Sequence, residues 1–222
     1  MTDLNSYLTA TQGFLSKADG KDKLLALLQY AAMLASGGEP GISIQVQKSL
    51  AGARKPFRIM KPLEALLPLL KTPQKNAHIP LVLLDKLKGL GMVLYFGGDH
   101  VVWASSSGLV TDKELVEKAG QISLYGWLVG SVCAALLEAV AAVQSEAKCE
   151  TDANPSDVIW EQRKKHSLVV TSNVCQASVA LALLGIVPMK PRTTAMLGFL
   201  TSAISCYQLL PTFPISAKLK ET

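Results

Sequence analysis

Ile42–Lys71 reads ISIQVQKSLAGARKPFRIMKPLEALLPLLK. Placed on a helix at about 100° per residue, Val46, Leu50, Ala53, Phe57, Met60, Leu67 and Leu70 gather on one side, and Lys48, Arg54, Lys55, Arg58 and Lys61 gather on the other. A cationic face opposite a Leu/Phe/Met face suits a helix lying in the plane of an anionic bilayer surface. The same pattern also fits a helix of a soluble bundle whose basic side faces water. Pro56, Pro62 and Pro68 fall inside the stretch. Each interior proline removes a backbone hydrogen bond at a cost of about 3 kcal/mol, so the helix is expected to be kinked or divided.

The composition favours the bilayer. Of 222 residues, 49% are hydrophobic and 18% charged, with mean hydropathy +0.28, which is apolar for a soluble domain. Through Lys88 there are twelve basic and six acidic residues, whereas the remainder carries ten and eleven. The net charge of +5 therefore sits on the front segment, where lipid phosphates or another acidic surface would meet it. Nucleic acid would accept such a segment too, but no helix-turn-helix, zinc-finger or RNP-type pattern accompanies it. Cys133, Cys149, Cys175 and Cys206 have no CxxC spacing and read as small, reduced core residues, with neither a metal site nor a disulfide framework. The start, MTDLNSYLTATQGF, lacks the pattern of a secretory signal.

Taken in order, Thr2 or Asp3 caps a first helix carrying Leu4, Leu8, Phe14 and Leu15, with a break at Asp19-Gly20. A second helix runs from about Lys21 to Gly37-Gly38, where glycine ends it. Beyond the amphipathic stretch, Thr72 to Pro80 is a polar connector. Gly89 to Thr111 is apolar apart from Asp99 and His100, and is marginal as a span. Those two side chains, adjacent on a helix, point apart and make a poor acid/base pair.

Ala119 to Ser145 is long enough to cross a bilayer core and holds a small-residue ridge, Gly126, Gly130 and Ala134, on which helices pack closely in lipid. SEAKCETDANPSDVIWEQRKKH follows as the main polar connector, ending in Arg163-Lys164-Lys165. Ser167 to Val187 and Thr193 to Ala217 then read as a helical hairpin in the membrane. The expected fold is thus an all-α integral membrane protein. Its parts are an amphipathic region 1–79, membrane helices in 80–145, a connector 146–166, a hairpin 167–217 and a basic tail 218–222. His78, His100 and His166 are isolated, Gly89-Leu90-Gly91 does not extend to GxGxxG, and there is no GxSxG, HExxH or phosphate loop. The reading is a non-enzyme without cofactor or metal.

The blocks QYAAMLASGGEPG, SLAGARKPFRIMK, IPLVLLDKLKGL, HVVWASSSGLV, ISLYGWLVGSVC and ISCYQLLP, in that order, resemble the peroxin-11 family of peroxisomal membrane-elongation proteins, most closely its plant and algal type. The resemblance covers nearly the whole chain. It implies a multi-pass peroxisomal membrane protein that promotes proliferation by deforming the membrane before fission. The family's membrane-remodelling helix corresponds to the neighbourhood of Arg54, Lys55, Phe57, Arg58 and Lys61, where the three prolines depart from the usual pattern.

On this reading Lys48, Arg54, Lys55, Arg58 and Lys61 recruit the segment to anionic headgroups. Leu50, Phe57, Met60, Leu63, Leu67 and Leu70 insert into the cytosolic leaflet as a wedge, and packing along Gly126 and Gly130 assembles protomers. Expected partners are anionic phospholipid, further copies or family members, fission factors and the import peroxins for membrane proteins, with no nucleic acid. The ending KLKET fits a dilysine signal at Lys218 and Lys220 and does not fit the SKL address. With both ends cytosolic the crossings are even in number, four or two. Two other functions stay open. One is a pore for small metabolites, with Ser172, Asn173, Gln176 and Ser178 as candidate polar lining. The other is a scaffold that recruits fission factors through residues 145–166.

Overall fold

A computed structural model describes residues 2–73, 78–151 and 156–211. The described residues are helical throughout, with no strand. The helices are α1 (Thr2–Leu15), α2 (Ala18–Ser36), α3 (Ile42–Ala53), α4 (Lys61–Leu70), α5 (Ile79–Ser106), α6 (Lys113–Thr151), α7 (Ser156–Leu183) and α8 (Pro191–Leu209), with a 3₁₀ turn, Pro56–Arg58, before α4.

Local chemistry explains most of the boundaries. Gly37 closes α2 in the left-handed conformation, φ 59°, with its N–H donated to the Met33 carbonyl. The first break falls at Ser16-Lys17, ahead of the expected Asp19-Gly20. Gly20 lies in the first turn of α2, where a Cβ would come within 2.1 Å of the Phe14 carbonyl oxygen, so it permits a close turn and does not end a helix. Asp112 caps α6, its Oδ1 accepting from the backbone N–H groups of Glu114 and Leu115 at 3.0 and 3.1 Å. Pro62, Pro80 and Pro191 each sit in the first turn of a helix, where a missing N–H costs nothing.

The amphipathic stretch is divided at Pro56: α3 ends at Ala53, Pro56 opens the 3₁₀ turn, and α4 restarts at Lys61 with Pro62 in its first turn, whereas Pro68 stays inside α4. The tract expected as a connector loop is helix through Thr151 and again from Ser156. Its polar residues lie on paired helix ends. Arg163 Nε donates to Glu146 Oε1 at 2.8 Å, His166 Nδ1 donates to Glu138 Oε1 at 2.8 Å, and Ser145 bonds Gln162.

Around the bundle α5 packs on α6, α6 on α7, α7 on α8, α8 on α2, and α2 on α3 and the 3₁₀ turn. Ion pairs from the 3₁₀ region to α5 complete a ring. α4 lies on α5 outside the circuit, and α1 leans on α2. The interior is small and polar: Ser123, Ser131, Ser172, Thr194, Thr201 and Ser202 are buried beside Ala177, Ala180 and Ala195, and among the described residues the only large side chain fully enclosed is Val179. The exterior is apolar, with Leu115, Ile122, Val129 and Leu136 of α6 and Met196, Phe199 and Leu200 of α8 all exposed. Large apolar residues outside and small ones between helices is the arrangement of a bundle solvated by lipid. By length and composition, α6 over Lys113–Cys149 and α7 are the described helices able to cross a membrane.

The small-residue ridge is filled within the chain. A Cβ on Gly126 would lie 2.5 Å from the Gly91 carbonyl oxygen of α5, and one on Gly130 would lie 2.9 Å from Met92 Sδ. Ala134, one turn on, is half-buried. The face expected to join protomers is therefore occupied by α5.

Candidate functional site

The basic segment turns inward. Arg54, at the end of α3, donates from Nε to Asp22 Oδ1 at 3.0 Å and from Nη1 to Gln29 Oε1 at 2.7 Å. Arg58, four residues on, donates from Nε to the same Oδ1 at 2.8 Å, from Nη2 to Oδ2 at 3.3 Å, and from Nη1 to the Tyr95 hydroxyl of α5 at 3.1 Å. Lys55 pairs with Asp99 of α5, whose other oxygen stands 3.7 Å from Arg58 Nη1. Lys61 reaches Asp19 and Glu64, each at 2.7 Å.

Asp22 and Arg58 are both buried, at 4% and 8% exposure. Burial alone would push the Asp22 carboxyl up, but the Arg58 and Arg54 guanidiniums, helped by Lys23, hold it down at about 2. Burial likewise works against the Arg58 charge, and Tyr95, Asp22 and Asp99 more than restore it, raising its pKa above the usual arginine value. Four of the five cations expected at lipid headgroups thus face carboxylates of the protein, while Lys48 is exposed.

The apolar side of the same stretch faces out. Met60, Leu63, Leu66, Leu67 and Leu70 are exposed, Leu70 at 72%, whereas Leu50 and Phe57 are half-buried, the latter beneath Lys21 Nζ at 5.7 Å from its ring centroid. α4 is held to α5 by two devices. Leu69 packs where a Gly89 Cβ would lie, 2.8 Å from its Cδ2. Lys86 Nζ of α5 donates to the carbonyls of Pro68, Leu69 and Lys71 at 3.0, 2.7 and 2.7 Å, capping the end of α4 with a positive charge.

Inside the ring lies a cavity of about 830 Å³ lined by α2, the basic segment, α5, α6, α7 and α8. A polar relay crosses its wall: Trp127 Nε1 donates to Gln176 Oε1 at 3.1 Å, Gln176 Nε2 to Ser172 Oγ at 3.4 Å, and Ser172 shares a 2.6 Å bond with Thr201. Of the four candidate lining residues on α7, Gln176 reaches the cavity. Ser172 bonds across to α8, while Asn173 and Ser178 bond the carbonyls of Val169 and Val174 on their own helix.

Asp99 and His100 share no site. Asp99 serves Lys55 and Arg58, and His100 Nδ1 donates to the Phe96 carbonyl. Among the described residues no group of three or more His, Cys, Asp or Glu is placed to hold a metal ion. Lys218 and Lys220 lie outside the described residues. The acidic partners, Asp19, Asp22 and Asp99, were the residues that sequence reasoning missed. Their signal in the sequence is weak, because Asp19 and Asp22 sit beside Lys21 and Lys23 at the start of α2 and Asp99 shares α5 with Asp85; the excess of lysine and arginine on the front segment is the one hint that carboxylates elsewhere answer it.

The family profile described as Peroxisomal biogenesis factor 11 (PEX11) matches residues 8–210. Peroxisomal membrane protein 11D of Arabidopsis thaliana is 36% identical over 214 residues, 90% of this chain and 91% of that one. Peroxisomal membrane protein 11-1 of Oryza sativa subsp. japonica is 33% identical over 93% of both, and Peroxisomal membrane protein PMP30A of Candida boidinii is 31% identical over 53% of this chain and 51% of its own length. No solved structure matches. A match along nearly the full length, on a ring of helices with an apolar exterior, makes the chain a member of the Peroxisomal biogenesis factor 11 (PEX11) family.

Proposed function

We propose that this protein elongates the peroxisomal membrane before fission, and that α4 is the part that deforms it. The observation that carries this is the row Met60, Leu63, Leu67 and Leu70, exposed on a helix fastened to α5 by Lys86 and Leu69. A helix that buries its apolar side in the headgroup and acyl boundary of one leaflet expands that leaflet relative to the other, and bending follows. The basic residues act here chiefly as a hinge lock, fixing the segment to α2 and α5, while the exposed Lys48 and the anionic headgroups supply the surface attraction. The embedded part is α5 to α8, with α6 and α7 as its spans and α5 and α8 packed against them; both ends are cytosolic, with four crossings if α5 and α8 also traverse and two if they do not. Further copies and family members, fission factors and import peroxins are its partners; because α5 fills the Gly126 ridge, other copies meet it through outer faces.

The test is peroxisome shape in cells expressing the wild type or a variant with Leu63, Leu67 and Leu70 changed to Glu, at equal membrane-bound amounts. Elongated organelles with the first and round ones with the second support the wedge. Equal elongation by both removes it.

The cavity favours a second reading, a pore for small metabolites, because polar side chains of six helices, α2 and α4 to α8, converge on it. Solute flux through reconstituted protein that survives the leucine substitutions and disappears with Ser205→Trp would separate permeation from elongation.

A further inference from the structure

Charge within the ring does not balance. Around the cavity Lys23, Arg54, Lys55 and Arg58 face only Asp22 and Asp99, with Lys23 Nζ 3.9 Å from Asp22 Oδ2 and both arginines already on that carboxylate. Of the other lining charges, Lys61 is held by Asp19 and Glu64, and Lys88 by Asp85 at 2.6 Å just outside the wall, so with every bonded carboxylate counted one positive charge remains without a counter-ion. Such a surplus is costly where water is scarce, and an anion in the cavity removes the cost. The Lys23 side chain is 34% exposed, and partial desolvation, reinforced by the neighbouring guanidiniums, pushes its ammonium below its usual pKa against the pull of Asp22. The rest of the wall is of a different character: Met92, Phe96, Trp127, Leu183 and Leu209 make one part of it apolar. Its volume lies within the roughly 300–1,000 Å³ typical of small-molecule sites.

We propose that the cavity binds one single-chain acidic amphiphile, with its carboxylate or phosphate head beside Lys23 and Arg54 and its chain along Met92, Trp127 and Leu209. The ligand neutralises the surplus charge and fills the apolar wall together, which neither a free anion nor an uncharged chain does. The cavity wall includes Lys61, Glu64, Ala65 and Pro68 of α4 but none of the exposed row Met60, Leu63, Leu67 and Leu70, and the site needs no solute flux.

The experiment uses the full chain in an uncharged detergent, following tryptophan emission and thermal unfolding during titration. Trp127 stacks on Tyr95 at 5.5 Å in the cavity wall, and a Trp127→Phe control assigns the signal. The probes are palmitate, lysophosphatidate, lysophosphatidylcholine and inorganic phosphate. Saturable binding of palmitate or lysophosphatidate, with a rise in unfolding temperature, supports the site, and the preferred one of the two identifies the head. Lys23→Gln should weaken that binding about tenfold or more, and Ser205→Trp, which sets an indole in the cavity, should abolish the rise in unfolding temperature that reports binding. Equal titration by lysophosphatidylcholine overturns the proposal because charge is then not read. Phosphate binding as tightly as lysophosphatidate overturns it in favour of a free-anion site. Unchanged binding by the folded Lys23→Gln or Ser205→Trp protein also overturns it.

Discussion

Asp22 Oδ1 accepts from Arg58 Nε at 2.8 Å and from Arg54 Nε at 3.0 Å, so one carboxylate of α2 holds both ends of the bend between α3 and α4. Asp22→Asn leaves two guanidiniums buried with half a partner. Breaking a buried pair in this way costs about 3–5 kcal/mol, and the unfolding temperature of the purified protein should fall by several degrees. Tubulation should fall with it, because α4 loses its orientation.

The same pair sets a pH response. The Asp22 pKa is depressed from 3.8 unfolded to about 2 folded. Its contribution is thus complete above about pH 4 and is lost as pH falls from there toward 2. The difference corresponds to about 2 kcal/mol. Unfolding measured from pH 6 down to pH 2 should show this loss in the wild type and not in Asp22→Asn.

Lys86 carries three carbonyl acceptors at the end of α4. Lys86→Met should fray that end, at a cost of about 1–3 kcal/mol for the released groups. Amide exchange in residues 66–71 should quicken while α6 and α7 stay protected, and tubulation should weaken without loss of membrane attachment.

Glycines test the helix crossings. A Cβ on Gly198 would stand 2.2 Å from the Tyr30 ring, and one on Gly126 would stand 2.5 Å from a backbone oxygen. Each Gly→Ala change should destabilise by about 1–3 kcal/mol. Gly52, inside α3 with nothing within 4 Å, should gain about 0.5–1 kcal/mol on the same change. Thermal unfolding of the three variants gives the comparison.

Ser172 and Thr201 share a 2.6 Å hydrogen bond between α7 and α8. A double-mutant cycle with Ser172→Ala and Thr201→Val should return a coupling of about 0.6 kcal/mol, and no more than about 1.7, the range for such bonds between membrane helices.

Much of the architecture was legible in the chain. The all-helical class, the apolar tracts that became α6 and α7, the Gly37 stop and the division of Ile42–Lys71 at Pro56 follow from hydropathy, glycine and proline, which act within a few residues. Of the expected connector 146–166, residues 146–151 and 156–166 are helical and 152–155 lie outside the described residues; polarity marks a loop only where it is not satisfied across two helices. There Arg163 meets Glu146, and His166 meets Glu138.

By itself the sequence determined which segments are helical, which faces are apolar and that the front of the chain is basic, because these depend on local periodicity and composition. Only the tertiary structure decided where the basic face points. The same arrangement of lysines and arginines serves a headgroup surface or a buried carboxylate equally well. The choice was made by Asp22, 32 residues before Arg54, and Asp99, 44 residues after Lys55, which chain folding brings to the same place. The close seat of Gly126 on Gly91 was decided in the same way, since a small-residue ridge fits any helix that reaches it and α5 is the one tied beside it.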